Sequence, residues 1–142
     1  MNTSHRFAVG VHIMTLLAVS EGPVSSSMIA GSVNTNPAVI RRMLGLLAKA
    51  GLTSATMGSG GGTVLAKPAK DVMLLDIYRA VEEPGILTLH ANAPNPACEV
   101  GKGITAVLGG VIGRAEHAME TVLADVSVLD MVRGVKGAKH SR

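Results

Sequence analysis

The first apolar run, Phe7–Val19, is interrupted by His12 and Thr15, and Phe7, Val11, Met14 and Ala18 recur on one face at helical spacing. That pattern predicts a helix over about Ser4–Ser20, stopped by Glu21-Gly22-Pro23. Ser25 is placed to cap a short helix, Ser26–Gly31, that holds Met28, Ile29 and Ala30. After Ser32-Val33-Asn34, either Thr35 or Asn36 caps a third helix. Pro37 sits in its first turn, where a missing N–H costs little, and Gly51 stops it after Lys49. Its apolar positions are Val39, Ile40, Met43, Leu44, Leu46 and Leu47.

Two short β-capable runs follow, Leu52–Met57 and Thr63–Ala66, around the turn Gly58-Ser59-Gly60-Gly61-Gly62, which reads as a hairpin. Asp71 is expected to cap an amphipathic helix reaching Glu82, ended by Pro84-Gly85. Residues 86–100 read as loop. From about Val100 to Val132 an apolar stripe returns at 3–4 spacing through Ile104, Leu108, Val111, Ala115, Met119, Val122, Val126 and Leu129. This predicts one helix roughly 45 Å long, which overhangs a small domain and calls for a partner. Gly109, Gly110 and Gly113 each cost about 1 kcal/mol relative to Ala, but allow a second backbone to approach closely.

The order helix, helix-turn-helix, hairpin describes a winged helix. The expected fold class is therefore mainly α with a small β-hairpin: a winged helix-turn-helix plus a long C-terminal dimerisation helix. The corresponding division is a DNA-binding domain over residues 1–83, a loop over 84–100 carrying Cys98, a dimerisation helix over 101–132, and a basic, disordered tail over 133–142. A major groove admits one helix, read by residues near that helix's N-terminus. Thr35, Asn36, Ala38, Val39, Arg41 and Arg42 occupy that region, with Asn suited to adenine and Arg to guanine. Ser25 and Ser26 open the preceding helix, where hydroxyls and free N–H groups suit a phosphate. Ser59, Gly60 and Lys67 are the candidate contacts of the wing.

Charge agrees with this placement. Residues 1–70 carry six Lys or Arg against Glu21 alone, residues 71–132 carry three against nine acids, and the last ten residues add four more cations. A polyanion partner would therefore meet the first 70 residues. Phe7 and Tyr78 are the only aromatic residues, which nearly excludes stacking platforms for single strands. Val19-Ser20-Glu21 is a poor signal-peptidase site, and no uninterrupted apolar stretch approaches the roughly 18 residues of a membrane span. With one cysteine and no possible intrachain disulfide, the expected location is cytoplasmic, without membrane contact.

No ordered Ser/His/Asp set, paired carboxylates or phosphate-binding loop points to an enzyme, since Gly58–Gly62 lacks the following Lys-Ser/Thr. Asp125 and Asp130 read as solvated. His5, His12, His117 and His140 lack metal-ligand spacing, so neither a metal site nor a cofactor is expected.

These segments resemble the Rrf2 family of bacterial winged-helix regulators. The resemblance runs through Phe7–Ala18, Val24–Ala30, Leu47-Ala48-Lys49-Ala50-Gly51-Leu52, Gly58–Lys67, Leu75–Glu82, Cys98–Gly101 and Thr121–Asp125, covering about residues 6–132. Asn36–Met43 and Asn95-Pro96-Ala97-Cys98 look like the branch without an iron–sulfur cluster. The resemblance implies a homodimeric repressor binding double-stranded DNA at a palindromic operator. Three wing positions depart from the family pattern: Met57 stands where an arginine is usual, Thr63 for a tyrosine and Ala55 for a serine. Cluster-binding members use three cysteines. Cys98 alone cannot supply the four ligands a cluster normally takes, and remains a candidate redox-sensing thiol whose pKa a helix N-terminus would lower. The alternative is a winged-helix protein-interaction module without specific DNA binding.

Overall fold

The computed structural model describes residues 4–140. The first three residues of the expected DNA-binding domain and the last two of the expected tail lie outside the described residues. Six helices and a two-stranded antiparallel sheet follow one another: α1 Arg6–Val19, α2 Ser26–Val33, α3 Pro37–Lys49, β1 Thr53–Thr56, β2 Gly62–Leu65, a 3-10 turn Ala69–Asp71, α4 Leu74–Val81, α5 Glu99–Leu123 and α6 Val128–His140. The expected winged helix is present, and its chain forms two compact units. One holds the residues up to Glu82 and those from Leu123 onward, and the other is Glu83–Val122.

The first unit is built on an aliphatic core. Ile13 and Met14 from α1, Ile29 from α2, Ile40 and Leu47 from α3, Ile77 from α4 and Val128 from α6 are fully buried. Gly10 lets α1 cross close to α4, since a Cβ there would meet Ile77 Cγ2 at 2.9 Å. Ser25 and Asn36 are the N-caps of α2 and α3: Ser25 Oγ accepts from Met28 N–H at 3.2 Å and Asn36 Oδ1 from Val39 N–H at 3.0 Å. Asn34, left-handed at φ 64°, ends α2 and turns the chain into α3.

The wing pairs Thr53 with Leu65, Ser54 with Val64, Ala55 with Thr63 and Thr56 with Gly62. Thr63 also exchanges both backbone hydrogen bonds with Val24, at 3.0 and 2.9 Å, which ties the hairpin to the lead-in of α2. The contact needs a glycine at position 62, where a Cβ would lie 2.6 Å from the Val24 carbonyl.

Several expectations require correction. The single helix over 101–132 is two helices, separated at residues 124–127. Ser127 and Asp130 form a reciprocal capping box that starts α6: Ser127 N–H donates to Asp130 Oδ2 at 2.9 Å and Asp130 N–H to Ser127 Oγ at 3.0 Å. The Ser127 amide, and then its hydroxyl, hold the Asp130 carboxyl below the usual carboxylate range, so this acid is a capping group. The segment is fixed further by Leu74 N–H to Val126 O and Val128 N–H to Val72 O, both 2.8 Å.

The tail expected to be disordered is helical through His140, because Val128 and Val132 are buried and anchor α6 on α1. The first unit is consequently not confined to residues 1–83 but regains chain from Leu123 onward. Asp71 does not cap α4. It closes the 3-10 turn, and Asp76 instead accepts from Met73 N–H at 2.9 Å.

The N-terminus of α1 has no side-chain cap of its own. Glu82, beyond the end of α4, supplies one: its Oε1 accepts from Phe7 N–H at 3.2 Å and from Ser4 Oγ at 2.6 Å. Glu82→Ala is therefore expected to lower stability by about 1 kcal/mol, the usual worth of an N-cap. Urea unfolding of the variant beside wild type measures this, and an unchanged midpoint refutes the role.

Candidate nucleic-acid interface

α3 turns one side inward and the other to solvent. Ile40, Met43 and Leu47 are buried, while Asn36, Ala38, Val39, Arg41, Arg42, Gly45, Ala48 and Lys49 are exposed. At 3.6 residues per turn, Arg41 and Arg42 diverge by about 100°, so they flank the outward line on which Ala38 and Gly45 lie. Nothing approaches within 4 Å of a Cβ built on Gly45. Neither guanidinium has a hydrogen-bond or ion-pair partner among the described residues. The helix thus carries two free, divergent forks on either side of a low ridge. Such a surface can enter a groove with its backbone close to the bases and donate to acceptors on both sides.

The other predicted positions are distributed around this helix. Ser25 and Ser26 are half-buried at the start of α2, and the Ser25 hydroxyl retains its own proton to donate while its oxygen caps the helix. Thr35 is half-buried. Asn36 is exposed; its Oδ1 accepts the cap hydrogen bond, and its amide Nδ2 makes no bond in that cap and can donate to a base. Ser59, Gly60 and Lys67 are exposed on the wing and just beyond it. Gly58 and Gly60 take φ of 91° and 75°, left-handed values that shape the tip. Met57, 88% exposed, stands at its entry.

Cys98 belongs to the second unit, in the position before the first residue of α5. Asn95 organises the turn, accepting from Ala97 N–H at 3.0 Å through its side chain and from Cys98 N–H at 3.2 Å through its carbonyl. Lys102 N–H then closes on Cys98 O at 2.8 Å. The thiol is exposed, and the backbone N–H groups of Gly101 and Val100 hold it below the ordinary thiol range. α5 buries none of its side chains within the chain.

Sequence reasoning missed the Glu82 cap, whose partner lies more than seventy positions away, and an apolar groove of about 600 Å³ beside α1 and α6. Its walls include Phe7, Leu16, Val19, Met131 and Val135, with His12 Nε2 and Ser32 Oγ 2.9 Å apart at one side. Val19 and Val135 are apolar and exposed there, a combination that the sequence pattern does not reveal.

Among the described residues no helix is long and apolar enough to cross a membrane, and no group of three or more His, Cys, Asp or Glu side chains could hold a metal ion.

Comparison with known proteins places these features in context. Residues 3–134 match the Rrf2 model, described as an iron-dependent transcriptional regulator. The Bacillus subtilis (strain 168) protein YwnA, whose name assigns it as an HTH-type transcriptional regulator, is 42% identical over 89% of this chain and 94% of its own. Among solved structures, IscR of T. potens is similar at 27% identity and a TM-score of 0.74, over 97% of this chain and 90% of that one. CymR, the global cysteine regulator of B. subtilis, is similar at 26% identity and a TM-score of 0.69, over 94% and 97%. These relatives are regulators, not enzymes. The donor set here does not fit the iron of the family's description, because the chain has one cysteine and the described residues hold no group of three or more His, Cys, Asp or Glu that could enclose a metal within one chain.

The lowered thiol has a direct check. Alkylation of Cys98 by iodoacetamide, followed against pH, is expected to show a midpoint below that of the same chain in urea, because unfolding removes the Gly101 and Val100 N–H groups that stabilise the thiolate. Coincident midpoints refute the effect.

Proposed function

The chain belongs to the Rrf2 family of transcriptional regulators, and on that premise we propose that it is a DNA-binding regulator that reads a duplex with α3. The observation that carries this reading is the pair of guanidiniums, Arg41 and Arg42, without a partner among the described residues and on the outward side of a helix whose inner side is locked into the core. Asn36, Ala38 and Val39 complete the reading turn. Ser25, Ser26 and Thr35 contact phosphates beside it, and Ser59, Gly60 and Lys67 bring the wing along the backbone. With Met57 at the wing entry in place of a cation, the helix carries most of the sequence discrimination.

The active form is a homodimer on a palindromic site. α5 supports this: Val100, Val107, Val111 and Val122 are all more than half exposed, and with Ile104, Ala115 and Ala118 they recur at the three- and four-residue steps of a coiled-coil seam. Two reading helices then meet half-sites about one helical turn apart. The regulator works in the cytoplasm as a repressor. Cys98 supplies its control: an exposed, lowered thiol at the head of α5, oxidised to a sulfenic acid or a mixed disulfide, changes charge and bulk at the base of the dimer seam.

Duplexes selected from a random pool should bind with an affinity that falls steeply with salt, the logarithmic slope being about −0.9 per phosphate neutralised. Arg41→Ala and Arg42→Ala should each cost roughly 1–3 kcal/mol and relax specificity at one position. Wild type treated with peroxide should lose or gain affinity while Cys98→Ser does not respond. Equal behaviour of the two removes the sensing role alone. Absence of salt-sensitive duplex binding, reduced or oxidised, replaces the DNA reading with that of a protein-contact module.

A further inference from the structure

α3 carries one large apolar side chain that the core does not use. Val39 is 39% exposed, whereas Ile40, Met43 and Leu47 on the same helix are at most 4%. Valine is a poor residue for an exposed helical position: its branched Cβ restricts χ1, and Val39 is not among the core residues whose burial would offset the loss. Its backbone is nevertheless held firmly, because its N–H is the donor to the Asn36 cap at 3.0 Å. The two methyls are therefore presented from a pinned Cα, on few rotamers, in the first turn of the helix. Arg42, three positions on, shares that side of the helix.

In a recognition helix the first turn is the part that reaches base edges. Of the groups lining the major groove, the C5 methyl of thymine is the one apolar group large enough to pack against; most of the rest are hydrogen-bond donors or acceptors. A valine against any of those would bury a polar edge without a partner, whereas against thymine it buries methyl on methyl.

We propose that Val39 reads the 5-methyl group of a thymine in each half-site, making that base a specificity position alongside those read by the arginines. This rests on α3 being the reading helix, and the experiment separates the two.

The test uses the full chain under reducing conditions and duplexes selected by wild type from a random pool. Each thymine is replaced singly by deoxyuridine, which removes only the methyl. Wild type is expected to bind about fourfold more weakly at one thymine per half-site, the worth of one buried methyl-sized group. Val39→Ala should bind the unmodified duplex more weakly and show no deoxyuridine effect there, with its unfolding midpoint unchanged because the side chain lies outside the core. Val39→Thr, which keeps one methyl and the branched shape, should retain the effect. The proposal is overturned if wild type responds to no deoxyuridine, or if the response persists in Val39→Ala. Failure of every duplex to show salt-sensitive binding overturns the reading of α3 itself, and this inference with it.

Discussion

The outward bearing of α3 is fixed by what its opposite side buries. Ile40, Met43 and Leu47 enter a core shared with Ile13 and Met14 of α1 and Ile29 of α2, and rotating the helix by one position would carry an arginine into that core. A charge there would have neither water nor partner, a cost of several kcal/mol. Everything proposed for the interface depends on this lock, because Arg41, Arg42 and Val39 are useful only at a defined azimuth. The wing is referred to the same frame by a different means. Thr63 is hydrogen-bonded to Val24, whose side chain is buried, and Gly62 leaves room for that approach. α3 and the wing are thus both mounted on the lead-in and body of α2.

Much of this half is legible in the sequence. The caps at Ser25 and Asn36 act on N–H groups three residues away, and the apolar periods of α1 and α3 are local, so both survive translation from pattern to fold. The hairpin is equally visible, since its glycine turn is contiguous. The failures share a cause, which is distance along the chain. The break at residues 124–127 is invisible in the apolar stripe because Val126 and Leu129 keep its spacing. What interrupts the helix is pairing with residues 72–74, some fifty positions earlier. The charged tail reads as solvated, and only the burial of Val128 and Val132 against α1 makes it a helix.

The candidate site is legible as a set of residues, less so as a set of free atoms. Asn36 stands beside the arginines as expected, yet its oxygen is committed to the helix it begins. Exposure in turn separates Val39 from the five other apolar residues of its helix, a distinction periodicity alone does not make. Beside Cys98, α5 begins at Glu99, slightly ahead of the expected start near Val100, and the amides that lower the thiol are those of its first turn.

The return of the chain into its first unit has a consequence for synthesis. α1 through the wing is complete by Leu65, but the core those elements share also includes Val128, so the unit lacks one wall until translation has passed the whole of residues 83–122. During that interval the surface of α1 that receives α6 stays open to water or to whatever else is near. Closing it requires contacts across more than a hundred residues, the kind of long loop that slows folding. A regulator built this way completes the core behind α3 only after α6 has been made.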